Sequence, residues 1–208
     1  MQSTIDLHLI TTNVMEGTGF KIFLEQNRPD YNVSLMILPM NSSLGNLKLS
    51  KLKENSVIFI DTDSFENENL LSFLKQIMFT YKCKCILHSK LSTPGLLMKA
   101  RELFVDGYII KSSPISCILN CLDVIKLGGT DYDSRFYDLL KSVMIFEKDL
   151  SLTERKLLHE VLLFSNRTIK DLAGVLNISK HTVEVHLSNL YKKAHVNGYT
   201  ELVSCFSL

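Results

Sequence analysis

The sequence has no tryptophan, and glycine, proline and cysteine are all sparse. Its 208 residues include nine Gly, four Pro and five Cys. So few glycines and prolines exclude a collagen-like or low-complexity chain. An odd number of cysteines argues against a disulfide framework, so we expect the thiols to act as small hydrophobic groups and predict no metal site.

Long apolar runs are also absent. No stretch approaches the ~18 consecutive apolar residues that a membrane helix needs. The first residues, Met-Gln-Ser-Thr-Ile-Asp, lack a basic region followed by an apolar segment. These two absences predict a cytoplasmic chain with no membrane partner and no secretory signal.

The sequence also has no large excess of positive or negative residues, since the formal net charge is only +1. Residues 150–208 are mildly basic, with seven Lys/Arg against five Asp/Glu. A basic segment behind a neutral one is compatible with nucleic-acid binding, although this asymmetry alone is a weak indication. The hydrophobic content of 46% is enough for a folded core.

Short apolar runs alternate with amphipathic segments over the first ~125 residues. This alternation predicts a parallel five-stranded sheet covered by helices on both faces, with its site at the carboxyl ends of the strands. The predicted strands are residues 5–10, 32–38, 57–60, 83–87 and 108–110. The predicted helices are residues 19–26, 67–80, 94–104 and 114–126.

Three of these strands end in reactive polar residues: Asp61, His88-Ser89 and Lys111. An Asp, a hydroxyl residue and a Lys at successive strand ends resemble the flavodoxin-like receiver domain of bacterial response regulators. That resemblance implies that Asp61 accepts phosphate, that the Ser89 hydroxyl follows the phosphoryl group, and that Lys111 pairs with it. The segment 100–111 is also similar to the corresponding part of that family.

One departure from the receiver pattern changes the expected chemistry. A receiver holds Mg²⁺ with two acidic residues just after its first strand, but here that place is taken by Thr11, Thr12 and Asn13. Magnesium prefers carboxylate oxygens, and Asp63 would add only one. We therefore predict a pseudo-receiver with a degenerate phosphoacceptor pocket, in which Thr12 and Asn13 join Asp61, Ser89 and Lys111.

The chain is predicted to divide into a pseudo-receiver domain over residues 1–127, a linker over 128–149 and a second domain over 150–208. The Gly128-Gly129-Thr130-Asp131 segment breaks the alternating pattern. Helical spacing over residues 134–146 indicates that part of the linker is a helix.

The second domain contains a predicted helix-turn-helix within a four-helix module. Thr153 is the predicted N-cap of a first helix that runs to about residue 164. Thr168 begins a short helix over 169–176 with a capping-box-like pattern. A turn at 177–179 places Ser179 as the N-cap of the helix 180–194. A final helix starts near Tyr199.

The helix over residues 180–194 has two distinct faces. Residues at core spacing are Val183, Leu187, Leu190 and Ala194. A second, polar face carries His181, Glu184, Val185, Ser188 and Lys192. A helix of this length fits the ~12 Å major groove of DNA.

The same half resembles the DNA-binding domain of the LuxR/FixJ (NarL-like) family. The resemblance lies in Leu152-Thr153-x-Arg155 and in Leu172-Ala173-x-x-Leu176-x-Ile178-Ser179-x-x-Thr182-Val183-x-x-His186-x-x-x-Leu190-x-x-Lys193-x-x-Val196. It implies a bacterial transcription regulator that binds double-stranded DNA. The residues expected at DNA are Thr168, Ser179, Lys180, His181, Thr182, Glu184, Val185, Ser188, Lys192 and Lys193. Two family positions that are commonly basic are Glu184 and Ser188 here, so altered base preference or weak binding is expected.

Taken together, these observations predict a non-enzymatic regulator without a cofactor, acting as a homodimer or as an auxiliary heterodimer partner of another response regulator. Three alternatives stay open. One is a cyclic di-GMP-responsive regulator, because Tyr132-Asp133-Ser134-Arg135 stands where some members carry Trp-apolar-Thr-Arg; Tyr132 would stack on guanine and Arg135 would pair with phosphate. The others are a true phosphoacceptor through Asp61 and a protein-interaction factor that no longer binds DNA.

Overall fold

The structure, a computed structural model, describes residues 4–38, 52–65, 67–90, 94–164 and 166–206. The chain divides into two compact units. One unit consists of residues 1–90 with 102–133, and the other of residues 91–101 with 134–208. None of the described helices is both long enough and apolar enough to cross a membrane.

The first unit contains a parallel sheet in the order β2-β1-β3-β4-β5-β6. Its strands are β1 (Ile5–Thr11), β2 (Tyr31–Ile37), β3 (Val57–Asp61), β4 (Lys84–Ser89), β5 (Gly107–Ile110) and β6 (Asp131–Tyr132). Crossovers between neighbouring parallel strands are the arrangement that the strand–helix alternation predicts. The receiver-like fold predicted from the sequence is confirmed.

The prediction of five strands misses β6, which lies in the segment interpreted as linker. Residues 128–131 contain two glycines, and a strand of two residues has no periodic pattern to detect. Backbone bonds nevertheless extend the sheet there: the Asp131 N–H donates to Asp106 O and the Asp133 N–H donates to Tyr108 O, both at 2.9 Å.

Helices connect the strands of the first unit, and two of them differ from the predicted bounds by more than two residues. The connecting helices are α1 (Val14–Asn27), α2 (Asn67–Lys75), α3 (Pro94–Glu102), which joins β4 to β5, and α4 (Ile115–Lys126). Helix α1 begins five residues earlier than predicted because the Asn13 side chain accepts the Glu16 N–H and caps it. Helix α2 continues as a π-helical turn over Gln76–Thr80 instead of a regular helix.

The sheet core follows from the alternation of side chains along the strands. Leu7 and Leu9 of β1 and Phe59 of β3 face a buried cluster that also receives Leu24 from α1 and Ile118 from α4. Strand β3 is buried at every position, as expected for a central strand covered on both faces. The carboxyl ends of β1, β3, β4 and β5 therefore lie at one edge of a rigid sheet.

The second unit contains α5 (Ser134–Glu147), α6 (Leu152–Leu163), α7 (Ile169–Leu176), α8 (Lys180–Ala194) and α9 (Tyr199–Ser204). The predicted linker helix and helix-turn-helix are both present. Thr153, however, is not the N-cap of α6. Ser151 is the N-cap: its hydroxyl accepts the Glu154 N–H while the Glu154 carboxylate accepts the Ser151 N–H. Thr153 is already inside the first turn of the helix and does not cap it.

Candidate nucleic-acid interface and acidic pocket

The helix-turn-helix is fixed by side-chain caps at both of its helices. Thr168 and Asp171 form a capping box at the start of α7. Asn177 ends α7 in the left-handed conformation, with a φ of 53°, which Asn tolerates better than most residues. The Ser179 hydroxyl accepts the Thr182 N–H at 3.0 Å and starts α8. The three-residue turn predicted from the sequence is therefore confirmed.

Helix α8 has the two faces that its spacing predicts. Val183, Leu187 and Leu190 are buried, and they hold the helix on the rest of its unit. The opposite side is open: side-chain exposure is 86% for His181 and 56% for Glu184. An exposed polar face on a helix that is anchored by its apolar face is suited to contact a surface outside the protein.

The structure places nearly all of the predicted DNA-contacting residues at the surface. The exposed ones are Thr168, Ser179, Lys180, His181, Glu184, Val185, Ser188, Lys192 and Lys193, and Thr182 is half-buried. The hydroxyls of Thr168 and Ser179 are engaged in the helix caps. Their contribution at an interface would therefore come through positioning the first turns of α7 and α8.

Lys193 differs from the other lysines of α8 because its ammonium has protein partners. Its Nζ lies 2.8 Å from Glu154 Oε2 and 2.9 Å from Asp149 O. Glu154 is only 4% exposed, so this pair ties the end of α8 to the start of α6. Burial alone would raise the pKa of Glu154, but the bonds from Lys193 and the Ser151 N–H outweigh burial and lower it to about 2.

This pair predicts an acid-sensitive second unit. The pKa of Glu154 is about 2 in the folded chain, compared with an ordinary value of 4.5. The ionised Glu154 therefore stabilises the fold above pH ~4.5, and this stabilisation is lost as the pH falls towards 2. Glu154→Gln should cost about 1–2 kcal/mol at pH 7 and remove this part of the pH dependence. Urea unfolding of the full chain at several pH values, followed by circular dichroism, measures both effects. Glu184→Gln, at an exposed site of the same unit, is the control; a Glu154→Gln chain with the parental pH profile would contradict the prediction.

In the first unit, Asp61 lies at the end of β3 and is saturated with hydrogen bonds. Its Oδ1 accepts from Lys111 Nζ at 2.8 Å and from the Asp63 N–H at 3.2 Å. Its Oδ2 accepts from the hydroxyls of Thr11 at 2.8 Å and Ser64 at 3.1 Å. A carboxylate has about four lone-pair sites, so all of them are used. Burial would raise the pKa of Asp61, but the bonds from Lys111 and Thr11 hold it below the ordinary value.

Lys111 lies at the centre of a group of carboxylates, Glu16, Asp61 and Asp63, which we call the acidic pocket. Besides Asp61, its Nζ lies 3.0 Å from Glu16 Oε1 and 3.3 Å from Asp63 Oδ2. Burial would lower the pKa of Lys111, but the bonds to Asp61 and Glu16 raise it. One ammonium with three donors is thus shared by three carboxylates, which leaves the pocket with an excess of negative charge.

The other predicted pocket residues lie close to this centre. The Thr12 N–H and hydroxyl both bond to Ser64 Oγ at 2.9 Å. Asn13 caps α1 through Glu16, and the Ser89 hydroxyl lies 3.4 Å from Asp63 Oδ1. The structure therefore brings Thr12, Asn13 and Ser89 to the same edge as Asp61.

Sequence reasoning missed Glu16 and Ser64, two members of the pocket. Both were detectable in principle. Glu16 is an acidic residue in the first turn after β1, and Ser64 lies three residues after Asp61. Both positions follow strands whose carboxyl ends share one edge of the sheet.

The magnesium ion implied by the fold does not fit this residue set. The positions after β1 are neutral, and the Asp61 oxygens are already occupied by protein donors. The Lys111 ammonium lies among the carboxylates where a cation would have to bind. Among the described residues, no group of three or more His, Cys, Asp or Glu side chains is arranged to hold a metal ion.

The residues considered for the alternative cyclic di-GMP motif differ in their exposure and bonding. Tyr132 is half-buried on β6, and its hydroxyl donates to Val105 O at 2.5 Å. Asp133 accepts from the Ser113 hydroxyl, while Arg135 is exposed on α5. Because Tyr132 is half-buried and its hydroxyl is already bonded, its geometry does not favour stacking on a guanine.

Comparisons with known proteins are consistent with both halves of the chain. Residues 148–206 match the family of bacterial regulatory proteins described as the luxR family. The uncharacterized response regulatory protein YgeK of Escherichia coli is 31% identical over 106 residues, which are 51% of this chain and 72% of YgeK. The nitrate/nitrite response regulator NarP of Escherichia coli is 37% identical over 99 residues, but the match spans only 45% of each chain.

A solved structure shares the fold over almost the whole length. RcsB from Salmonella enterica serovar Typhimurium, bound to promoter rprA in the presence of the phosphomimetic BeF3−, superposes with a TM-score of 0.65. The match covers 98% of both chains at 18% sequence identity. At this identity the likeness establishes the fold alone.

Proposed function

Because this chain belongs to the luxR family of bacterial regulatory proteins, within its response-regulator branch, we propose that it regulates transcription by binding double-stranded DNA through α8, independently of phosphorylation. The observation that carries the proposal is the anchored helix α8. Its apolar face is buried, and its polar face carries exposed lysines and groups able to read bases.

Two kinds of contact are expected along α8. Lys180 and Lys192 lie near its two ends, where ammonium groups can reach phosphates on either side of a groove. His181, Glu184, Val185 and Ser188 lie on the exposed face between them and would contact base edges. A Glu accepts a hydrogen bond from cytosine N4, and the exposed Val185 methyl groups suit a thymine methyl.

Lys193 receives a different role in this proposal. Its ammonium is bonded to the buried Glu154 and to Asp149 O. We assign Lys193 mainly to holding α8 in place, which revises the DNA contact expected from the sequence. The exposed fraction of its side chain, 37%, is smaller than that of His181 or Glu184 on the same helix.

A selection from random duplexes with the full-length chain tests the DNA-binding function. Enrichment of a pseudo-palindrome, whose affinity falls steeply as salt rises, is expected for a homodimer. Enrichment of a single half-site would instead support an auxiliary subunit that pairs with another response regulator. Failure to enrich any sequence would contradict DNA binding by this chain alone and favour the interaction-only alternative.

The saturated Asp61 supports the phosphorylation-independent part of the proposal. A carboxylate that attacks a phosphoryl group must free a lone pair, and here every site is held by Lys111, Thr11, Ser64 or the Asp63 N–H. An incoming phosphoryl group would also meet two further carboxylates at Lys111. Like charges at such distances oppose its approach.

We therefore expect acetyl phosphate and Mg²⁺ to leave the chain unlabelled. The measurement is the intact mass after incubation at pH 7, with an ordinary response regulator as the positive control. An added phosphoryl group that disappears in Asp61→Asn would contradict the prediction and restore the true phosphoacceptor alternative.

A further inference from the structure

A cavity lies at the acidic pocket, between the carboxyl edge of the sheet and helices α1 and α4. Its volume is about 220 Å³. Phe20, Phe59 and Ile118 contribute to an apolar wall, and Glu16, Asp61 and Lys111 lie at its polar end. All of these residues belong to the first unit.

The size and lining of the cavity suit a small organic molecule. An apolar cavity of about 150 Å³ is enough to hold a benzene ring in a protein interior. Drug-sized ligands need at least about 300 Å³. A volume between these values fits a single ring with a short polar substituent.

The polar end discriminates against anions. Lys111 is its only charged donor among the lining residues, and its three N–H groups face Asp61, Glu16 and Asp63. An anionic ligand would have to displace one of these carboxylates and would then lie beside the others. The lining carboxylates outnumber the lining ammonium, so a positive charge on the ligand is favoured instead.

Glu16 is the carboxylate able to receive such a charge. The Asp61 oxygens are filled by four donors, whereas the Glu16 oxygens accept from Lys111 at 3.0 Å and from the Asn13 side-chain amide at 3.2 Å. These two bonds use two of the four acceptor sites of the Glu16 carboxylate, and the other two sites could accept from a ligand. The Glu16 side chain is 39% exposed, so a ligand can reach it from solvent.

His88 completes the apolar wall without adding charge. Its ring lies 5.1 Å from the ring of Phe59 and nearly parallel to Phe20 at 6.2 Å. Burial lowers the pKa of His88 to about 4, so the imidazole is neutral at pH 7. The wall thus presents aromatic faces and no competing cation to a bound ring.

We propose that this cavity binds a monocyclic organic cation, with its ring against Phe20, Phe59 and Ile118 and its ammonium at Glu16. The site would give the first unit a small-molecule input at the place where the fold otherwise holds a phosphorylated carboxylate. The proposal concerns the first unit alone and does not depend on DNA binding by α8.

Three probes of matched size test the proposal on the full-length chain: 2-phenylethylammonium, neutral 2-phenylethanol and anionic phenylacetate. Binding is followed by the amide resonances of the glycines. Gly17 lines the cavity, whereas Gly174 is an exposed glycine of the second unit. Saturable shifts of Gly17 but not of Gly174, with the amine binding about tenfold more tightly than the alcohol and the carboxylate weakest, are expected.

Single-tryptophan variants provide a second readout because the chain has no tryptophan of its own. Fluorescence of Ile115→Trp, at a partly exposed position of the cavity lining, should change with the amine, while Phe79→Trp, at a side chain that is 66% exposed, should not respond. Glu16→Gln should weaken amine binding about tenfold and leave alcohol binding nearly unchanged.

Several results would overturn the proposal. They are the absence of saturable Gly17 shifts with the amine, an alcohol or carboxylate that binds as tightly as the amine, and full amine affinity in Glu16→Gln. The Gly17 readout uses the parental chain, so a variant that fails to fold does not remove the test.

Discussion

Replacing Lys180 and Lys192 together with alanine is expected to weaken DNA binding by at least about tenfold and to reduce the salt dependence of binding. Both side chains are exposed on α8, and neither has an ion pair among the described residues that would hold it on the protein. Each phosphate contact contributes about one unit to the slope of log affinity against log salt, so the slope should fall by about 2. Fluorescence anisotropy of the selected duplex across a salt series measures both quantities.

The matched control separates a specific contact from a general loss of positive charge. Lys82→Ala removes a lysine whose side chain is 70% exposed, but it lies in the first unit, far along the chain from α8. It should leave the affinity and the slope nearly unchanged. A double Lys180/Lys192 variant with the parental slope would show that these lysines do not contact phosphates.

The helix-turn-helix was predictable because local rules decide it. The buried spacing of Val183, Leu187 and Leu190 and the capping residues Thr168 and Ser179 act over a few positions of the chain. The role of Lys193 was not predictable in this way. Its partner Glu154 lies 39 residues away, and only the packing of α6 against α8 brings the two together.

The acidic pocket, too, was predictable from the sequence only in part. Asp61, Ser89 and Lys111 could be predicted at one edge because parallel strands end together. The four bonds that saturate Asp61 could not, since they depend on the short 3-10 helix Thr62–Ser64 and on the rotamers at Thr11 and Lys111. Strand β6 was missed for a related reason: two residues carry no period, and tertiary hydrogen bonds alone make it a strand.

Lys111→Met should strongly destabilise the first unit. The Lys111 and Asp61 side chains are only 11% and 9% exposed, so removing the ammonium leaves a buried carboxylate without its cation. Removing one partner of a buried pair costs roughly 3–5 kcal/mol, and about 3 kcal/mol is expected here because Thr11 and Ser64 still donate to Asp61. Urea unfolding of the full-length chain at pH 7 measures this loss.

The pH dependence of that loss distinguishes an uncompensated charge from a packing defect. With Lys111 present, the pKa of Asp61 is below its ordinary value of 3.8, so the pair stabilises the fold above that pH and this stabilisation is lost in acid. Without Lys111, burial and the neighbouring Glu16 and Asp63 would raise the pKa of Asp61, so the stability of the variant relative to the parental chain should rise as the pH is lowered and Asp61 becomes protonated. Asp61→Asn, which leaves Lys111 with Glu16 and Asp63, should cost only about 1 kcal/mol and show no such recovery. If Lys111→Met and Asp61→Asn lose equal stability with the same pH profile, the lysine does not balance the charge of this pocket, and the proposed reason for the unreactive Asp61 fails with it.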